Sequence, residues 1–436
     1  MARGSLYVST ADRGSLERAF RDVGARQSGF GSWLGPRNRY LTKTTLRTND
    51  KTSPQIYRQL VQYIAASAPL HAADSARYLG RSLFCHAIND THAARHFAYY
   101  AELRAAMSIL ASEGVGVFDT RHYVVTGPAK LETVRDRGTH KYVWEALEEW
   151  SRGGRAETLV KRVVRLNGRP LDVLLGKAFP GMSLHVAASW FATWGLDLHI
   201  LSDDQKNRNT SSYRPMMLQR DDAHSPSQAS RDLRALWEAF EPAPASSFRR
   251  LDDHLVRLAF EQQAKKVARR RTKGYEKLAH DVATASGAFG PEEELLAEFL
   301  VRGNESTAKD LRLIAAAREN QDKRTEWVGH FSMISRAALL LRFALGATVL
   351  LITDSGLQLS AFQHWLKTWA IRSSVSASER SPSDTLALWE DVNVALDDVQ
   401  QCDPGVITFA EMLAKVSTSI VLLGECERIA LWALAG

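Results

Sequence analysis

The densest set of residues able to do chemistry is Lys265-Lys-Val-Ala-Arg-Arg-Arg-Thr-Lys273. Its cations Lys265, Lys266, Arg269, Arg270 and Arg271 could neutralise the phosphates of a nucleic acid without regard to base sequence. Such a run on a helix is more commonly a solvated face. Arg162, Arg165 and Arg169 form a weaker second cluster. His92 and His96 stand one helical turn apart, but a zinc site takes three or four ligands and no third lies close in sequence. The pair therefore reads as structural, His224 and His280 are isolated, and no metal is assigned. Gly29, Gly31 and Gly35 loosely imitate a phosphate loop, yet no strand precedes them and no Gly-Lys-Ser/Thr follows. No nucleophile elbow is present. Trp190/Trp194 and Trp365/Trp369, each one turn apart, read as core anchors rather than base-stacking platforms. Nothing implies a cofactor.

These residues sit in a chain of 436 residues, 45% hydrophobic and 24% charged. That is long enough for two or three domains of a soluble globular protein. The net charge is +7, with 41 Arg against 15 Lys. Guanidinium forks suit phosphate and carboxylate alike, although a high-GC genome enriches arginine everywhere. The start, Met1-Ala-Arg-Gly-Ser-Leu6, lacks the apolar core of a signal peptide. The longest apolar run, Ala337–Ile352, contains Arg342 and is too short to span a bilayer, so no membrane partner is expected. Cys85, Cys402 and Cys426 are scattered, which fits a reducing cytoplasm and excludes a disulfide framework.

The elements that must position these groups are almost all helical. The expected fold is all-α, with one small hairpin within Val115–Val125. Residues 1–50, rich in Gly, Ser and Arg and without clear periodicity, read as a basic arm. Helical patterning begins after Ser53-Pro54, a cap followed by a first-turn proline, and runs through Ile56–Ala66 and then Ala72–Leu83. The stretch His92–Ala111 carries a double tyrosine in its middle. It brings Phe97, Tyr100, Met107 and Leu110 onto one face at three- and four-residue steps. Further helices are expected at His140–Trp150, Leu184–Leu201 and Arg231–Phe240, with a mixed segment over Thr158–Phe179. Residues 203–230 read as polar. Pro242-Ala-Pro-Ala-Ser-Ser247 is the linker candidate, dividing a helical domain at 51–240 from a second at 248–436. Beyond it, Leu251–Ala285 reads as one long helix, followed by six more and a Ser-rich loop at 373–384.

The tyrosine-bearing helix, with a later apolar helix that ends in an Arg208-Asn209-x-x-x-Tyr213 turn element and Tyr213-Arg-Pro215, resembles the HEPN superfamily, and within it the YaaC-like proteins. The resemblance covers roughly residues 55–240. It implies a helical nucleic-acid module, usually dimeric, whose active members cut RNA without a metal. Those members use Arg-(x)4–6-His, in which Arg holds the scissile phosphate and His is acid or base. On the matching stretch Tyr213 stands where the histidine would be, and a phenol that ionises near about pH 10 is a poor base. Arg208, Asn209 and Tyr213 then grip a phosphate or simply cap a helix, contributing binding or structure only.

The same Arg-to-His spacing occurs at Arg81/His86, Arg135/His140, Arg249/His254 and Arg324/His330, about the number chance supplies. Arg135-Asp-Arg-Gly-Thr-His140 has the best context, a polar second residue and a glycine just before a helix start, where a phosphate is favoured. Arg135 and His140 are therefore the candidate catalytic pair. Two classes of function remain. One is a HEPN-like RNA-handling protein of a bacterial conflict or antiphage system, either a metal-independent endoribonuclease or a degenerate RNA binder. The other is a non-enzymatic helical scaffold or subunit of a complex. RNA is expected over DNA, together with a protein partner or homodimer.

Overall fold

The computed structural model describes residues 6–42, 53–182, 187–213, 224–270, 272–302, 311–319, 329–373, 375, 385–402 and 408–435. Arg214, Pro215, Arg271 and Arg324 lie outside the described residues. As expected, the fold is mainly α-helical, with small antiparallel sheets.

In chain order the first half holds α1 (Arg13–Phe30), α2 (Pro54–Ala87), α3 (Thr91–Ser112), β1 (Val115–Gly116), β2 (Arg121–Gly127), β3 (Lys130–Arg135), α4 (Thr139–Ser151), α5 (Gly154–Val163), β4 (Arg165–Leu166), β5 (Arg169–Pro170), α6 (Leu171–Ala178), α7 (Ala187–Thr193), α8 (Leu198–Tyr213) and α9 (Pro226–Ala239). The second half holds β6 (Pro242–Ala243), β7 (Ser247–Phe248), α10 (Arg249–Ala264), α11 (Lys273–Ala285), α12 (Pro291–Val301), α13 (Arg312–Arg318), α14 (His330–Asp354), α15 (Gln363–Arg372), α16 (Thr385–Cys402), α17 (Phe409–Leu423) and α18 (Glu427–Ala435).

The organising unit is α2 against α3. Ser53 caps α2 by accepting from the Ile56 amide, and Asp90 caps α3 by accepting from Ala93. Their contact face is built from small residues, among them Ala72, Ala76, Ala94, Ala98 and Ala101, all fully buried. The backbones come close enough for serines to reach across. Ser75 donates to the Ala101 carbonyl at 2.8 Å, Ser82 to Ala94 at 2.7 Å and Ser108 to Ala68 at 2.7 Å. The break expected between Ala66 and Ala72 is absent, because α2 continues through Pro69.

α14 packs on both helices. It is long and apolar enough to cross a membrane, yet 83% of its most apolar stretch is buried inside the protein. It also carries Arg336 and Arg342, each paired with a carboxylate in the interior. This makes α14 a core helix.

Several elements differ from the sequence expectation. Within the presumed arm, α1 buries Leu16, Phe20 and Val23, one stripe at helical spacing. The hairpin is a three-stranded meander that pairs Val115 with Val124 and Arg121 with Arg135. The helix expected over Leu184–Leu201 breaks at Gly195, which adopts φ 92°; a Cβ there would lie 2.8 Å from that of Ala317. The Leu251–Ala285 helix is two, α10 and α11. Thr272 caps α11 by accepting from Tyr275, and residues 265–270 of the basic run lie between the two helices rather than on a helix face. The 241–247 link, expected as a domain boundary, carries the β6–β7 hairpin, and the main core includes residues on both sides of it.

Candidate active site

Three elements converge on two tyrosines. α3 presents Tyr99 and Tyr100, α8 lays Arg208 over them, and the first turn of α4 brings up His140. The guanidinium carbon of Arg208 lies 5.1 Å from the Tyr100 ring centre and 5.8 Å from that of Tyr99, within cation–π range. Nη2 of Arg208 donates to the Tyr100 hydroxyl, and Nη1 donates to Asn209 Oδ1 at 2.7 Å. Nε of Arg208 is buried without a hydrogen-bond partner, and no carboxylate pairs with this arginine among the described residues. A half-buried guanidinium with no carboxylate partner among the described residues favours an anion beside it.

His140 hydrogen-bonds through Nδ1 to the Tyr99 hydroxyl at 2.7 Å. In the tautomer that donates from Nδ1 to the Tyr99 oxygen, Nε2 carries the free lone pair. Burial, and then the Arg208 charge, hold its pKa below the ordinary value of 6.5. The imidazole is thus neutral at neutral pH. His96, on α3, approaches Tyr100 with ring centres 5.0 Å apart and meets Ser212 Oγ at 3.0 Å. The same two causes, burial first, lower its pKa.

The turn that carries His140 is held from below. His122, fully buried on β2, accepts from the Phe118 amide at 3.1 Å and donates through Nε2 to the Arg137 carbonyl at 2.9 Å. Its ring stacks on Tyr142, centres 3.9 Å apart. Thr139 Oγ1 donates to the Phe118 carbonyl at 2.7 Å. The start of α4 is fastened to the meander at three points.

α8 is fixed by charge. Arg336 donates from Nε and Nη2 to Asp204 at 2.8 Å each, and Glu102 lies 3.8 Å from the same guanidinium. All three side chains are fully buried. Glu102 is one turn beyond Tyr99 on α3, and Asp204 is one turn before Arg208 on α8. This triad therefore sets the register that brings Arg208 over the tyrosines.

Arg208 and Asn209 lie inside α8, not in a turn, and Tyr213 ends the helix 79% exposed. Arg135 is exposed at the end of β3 opposite Arg121, and the guanidinium whose charge acts on His140 is that of Arg208. Lys265, Lys266 and Arg269 are exposed on the α10–α11 turn and Arg270 is half-buried. Lys265 pairs with Glu261 at 2.7 Å. Arg162 is clamped by Asp354. His96 drew notice in the sequence only as half of a pair with His92, and Tyr99 only as part of the double tyrosine. A second cluster, of His86, His224 and His330, gathers three histidines that no spacing connects.

No protein-family model matches the chain, no curated protein matches it in sequence, and no solved structure matches its fold. Its chemistry is argued from this geometry.

Proposed function

We propose that the chain is an RNA-handling protein that cleaves a phosphodiester at the Arg208–His140–Tyr100 cluster without a metal in the chemical step. The observation that carries this reading is the Arg208 guanidinium, without a carboxylate partner among the described residues, seated on Tyr100 with its charge acting on His140. Arg208 grips the scissile phosphate. The 2′-oxygen forms a bond to phosphorus as the bond to the 5′-oxygen breaks. The 2′-hydroxyl proton passes to Nε2 of His140, and the leaving 5′-oxygen takes a proton from water, with His96 the nearest second imidazole able to relay it. The products are a 2′,3′-cyclic phosphate and a 5′-hydroxyl. The HEPN-like resemblance agrees with this chemistry and suggests a setting in bacterial conflict or antiphage defence, in the cytoplasm and with a protein partner or as a homodimer.

The test is cleavage of labelled single-stranded RNA in a chelator, with the ends analysed. His140→Ala should lower the rate by ~100-fold or more, the usual weight of a general base. Because the His140 pKa is lowered, the base form persists on acidification, and the acid limb of the rate profile should fall below pH 6.5. Arg208→Ala should abolish cleavage, while Arg135→Ala decides whether the pair suggested by sequence spacing contributes. Tyr213→Phe should leave the rate nearly intact. Full activity in His140→Ala, or cleavage lost in chelator with the fold intact by circular dichroism, overturns the mechanism. No cleavage of any RNA, together with unimpaired complex formation by Arg208→Ala, would favour a scaffold.

A further inference from the structure

His86 near the end of α2, His330 at the first position of α14 and His224 just before α9 meet in the interior, sharing no residue with the Arg208 site. His86 and His330 are buried and His224 is half-buried. One nitrogen from each ring lies within 4.8 Å of the other two. We propose that these three imidazoles form a binding site for a borderline transition-metal ion of the zinc or cobalt class.

The donor set points to that class. Three neutral nitrogens without a thiolate suit zinc, cobalt, nickel or copper and discriminate against magnesium and calcium, which take oxygen. The surroundings are those of a built site. The Asp232 carboxylate, 97% buried, lies 3.3 Å from His86 Nε2. It is itself held by Arg312 and by Gln228 Nε2 at 3.0 Å. A carboxylate at that place favours a proton on Nε2, with Nδ1 facing His330, as in the carboxylate–histidine arrangement that orients metal ligands. His86 Nδ1 and His330 Nε2 stand 2.8 Å apart, with a proton between them. A tetrahedral ion with bonds of ~2.0–2.1 Å needs its nitrogens ~3.3 Å apart, so the ion takes that place after a shift of about half an ångström, and the shared proton moves to Nδ1 of His330, which stays neutral.

His224 is the ligand that must move. Its ring lies parallel to His86, centres 4.5 Å apart and planes at 6°, and its Nε2 meets the His86 carbonyl at 3.0 Å. An ion lies in the plane of every imidazole it binds, so the His224 ring must turn about its Cβ–Cγ bond to complete the set. The His86 and His330 rings are already 47° apart. His86 and His330 are therefore the preset pair, and His224 closes the site.

The experiment uses the full chain, dialysed against chelator and titrated with Co²⁺ and then Zn²⁺. One equivalent of Co²⁺ should give the visible absorption of a tetrahedral nitrogen site, and Zn²⁺ should displace it. Zn²⁺ should also raise the melting temperature, because it binds only the folded state. His224→Ala, at a half-buried position, should keep the metal-free melting temperature yet lose both the absorption and the Zn²⁺ shift. Asp232→Asn should weaken binding by about 10–100-fold, as loss of an outer-shell carboxylate does. Absence of an equimolar step in the wild type overturns the proposal. Persistence of that step in both His224→Ala and His330→Gln overturns it as well, by placing the ion elsewhere. None of these readouts uses RNA, so the site and the proposed cleavage stand or fall separately.

Discussion

Replacement of Glu102 by glutamine tests the triad that fixes α8. The interior holds two carboxyl groups, Glu102 and Asp204, and one guanidinium, Arg336. Arg336 commits two of its donors to Asp204 and a third to the Ala317 carbonyl at 3.3 Å. Neither oxygen of Glu102 accepts a hydrogen bond from a described donor. An ionised Glu102 would thus be a second buried negative charge facing an already occupied cation. Burial, and then the Asp204 carboxylate, push the Glu102 carboxyl well above its ordinary 4.5, with Arg336 opposing. Asp204 is raised by burial too, but Arg336 draws it back. Glu102 therefore keeps its proton and offers it to Asp204, a role the amide of glutamine can take over without titrating.

The sign follows from proton counting. Above pH 4.5 the unfolded chain has released the Glu102 proton, while the folded chain retains it. The folded state binds more protons, so the wild type loses stability as pH rises toward the folded pKa. The slope is about 1.4 kcal/mol per pH unit, and glutamine removes it. Groups away from the triad titrate alike in both proteins and cancel in the difference. As pH rises from 5.5, stability relative to the wild type should therefore move in favour of Glu102→Gln, by at most about 1.4 kcal/mol for each pH unit over which Glu102 keeps its proton. Urea midpoints followed by tryptophan fluorescence at three pH values read this directly. A flat difference, or one that favours the wild type as pH rises, would refute a protonated Glu102. Asp204→Asn is the contrasting control: it removes the charge that accepts two hydrogen bonds from Arg336 and should cost about 3–5 kcal/mol.

Two further perturbations test the packing and the basic turn. A Cβ on Gly80 of α2 would run into the Gly424 carbonyl oxygen and lie 3.0 Å from the Cys426 nitrogen. Gly80→Ala should therefore cost about 1–3 kcal/mol, more than the ~1 kcal/mol that alanine gains as a helix former; an unchanged or raised melting temperature would show that this loop yields freely. Charge reversal at Lys265, Lys266, Arg269 and Arg270 should weaken RNA binding and flatten its dependence on salt, because fewer counterions are released; an unchanged filter-binding curve would leave the turn a solvated surface.

The legible parts of this fold were those held by apolar faces. α4 carries a periodic stripe, and it and α3 match their expected bounds within a few residues; α2 begins at the expected Ser53-Pro54 start but runs on through the expected break. α8 was not legible, for a physical reason. Beyond Leu201, the side chain it buries completely is the charged Asp204, secured by Arg336 rather than by a hydrophobic stripe. A helix anchored by an ion pair reads as polar loop in sequence, and Arg208 was misplaced onto a turn as a result. α1 shows the same difficulty in milder form, since Leu16, Phe20 and Val23 are diluted by arginine and glycine. The basic run misled in the opposite direction: its residues are good helix formers, and the Thr272 cap that separates α10 from α11 is a single hydroxyl.

His140 and Arg208 were both named from sequence, but as halves of different motifs. What joins them is Tyr99, which holds the histidine, next to Tyr100, which carries the arginine. Adjacent residues on a helix point about 100° apart, so one double tyrosine can serve two neighbours at once, α4 and α8. Only the packing of those helices on α3 turns that local fact into a site. The same holds for the three histidines, separated in sequence by 138 and 244 residues from His86. Spacing rules can find ligands within one element, whereas these sites are made where elements cross. The buried charges that fix the crossings, Glu102, Asp204 and Arg336 for α8 and Asp232 and Arg312 for the histidines, are therefore as much a part of each site as the groups that would touch a ligand.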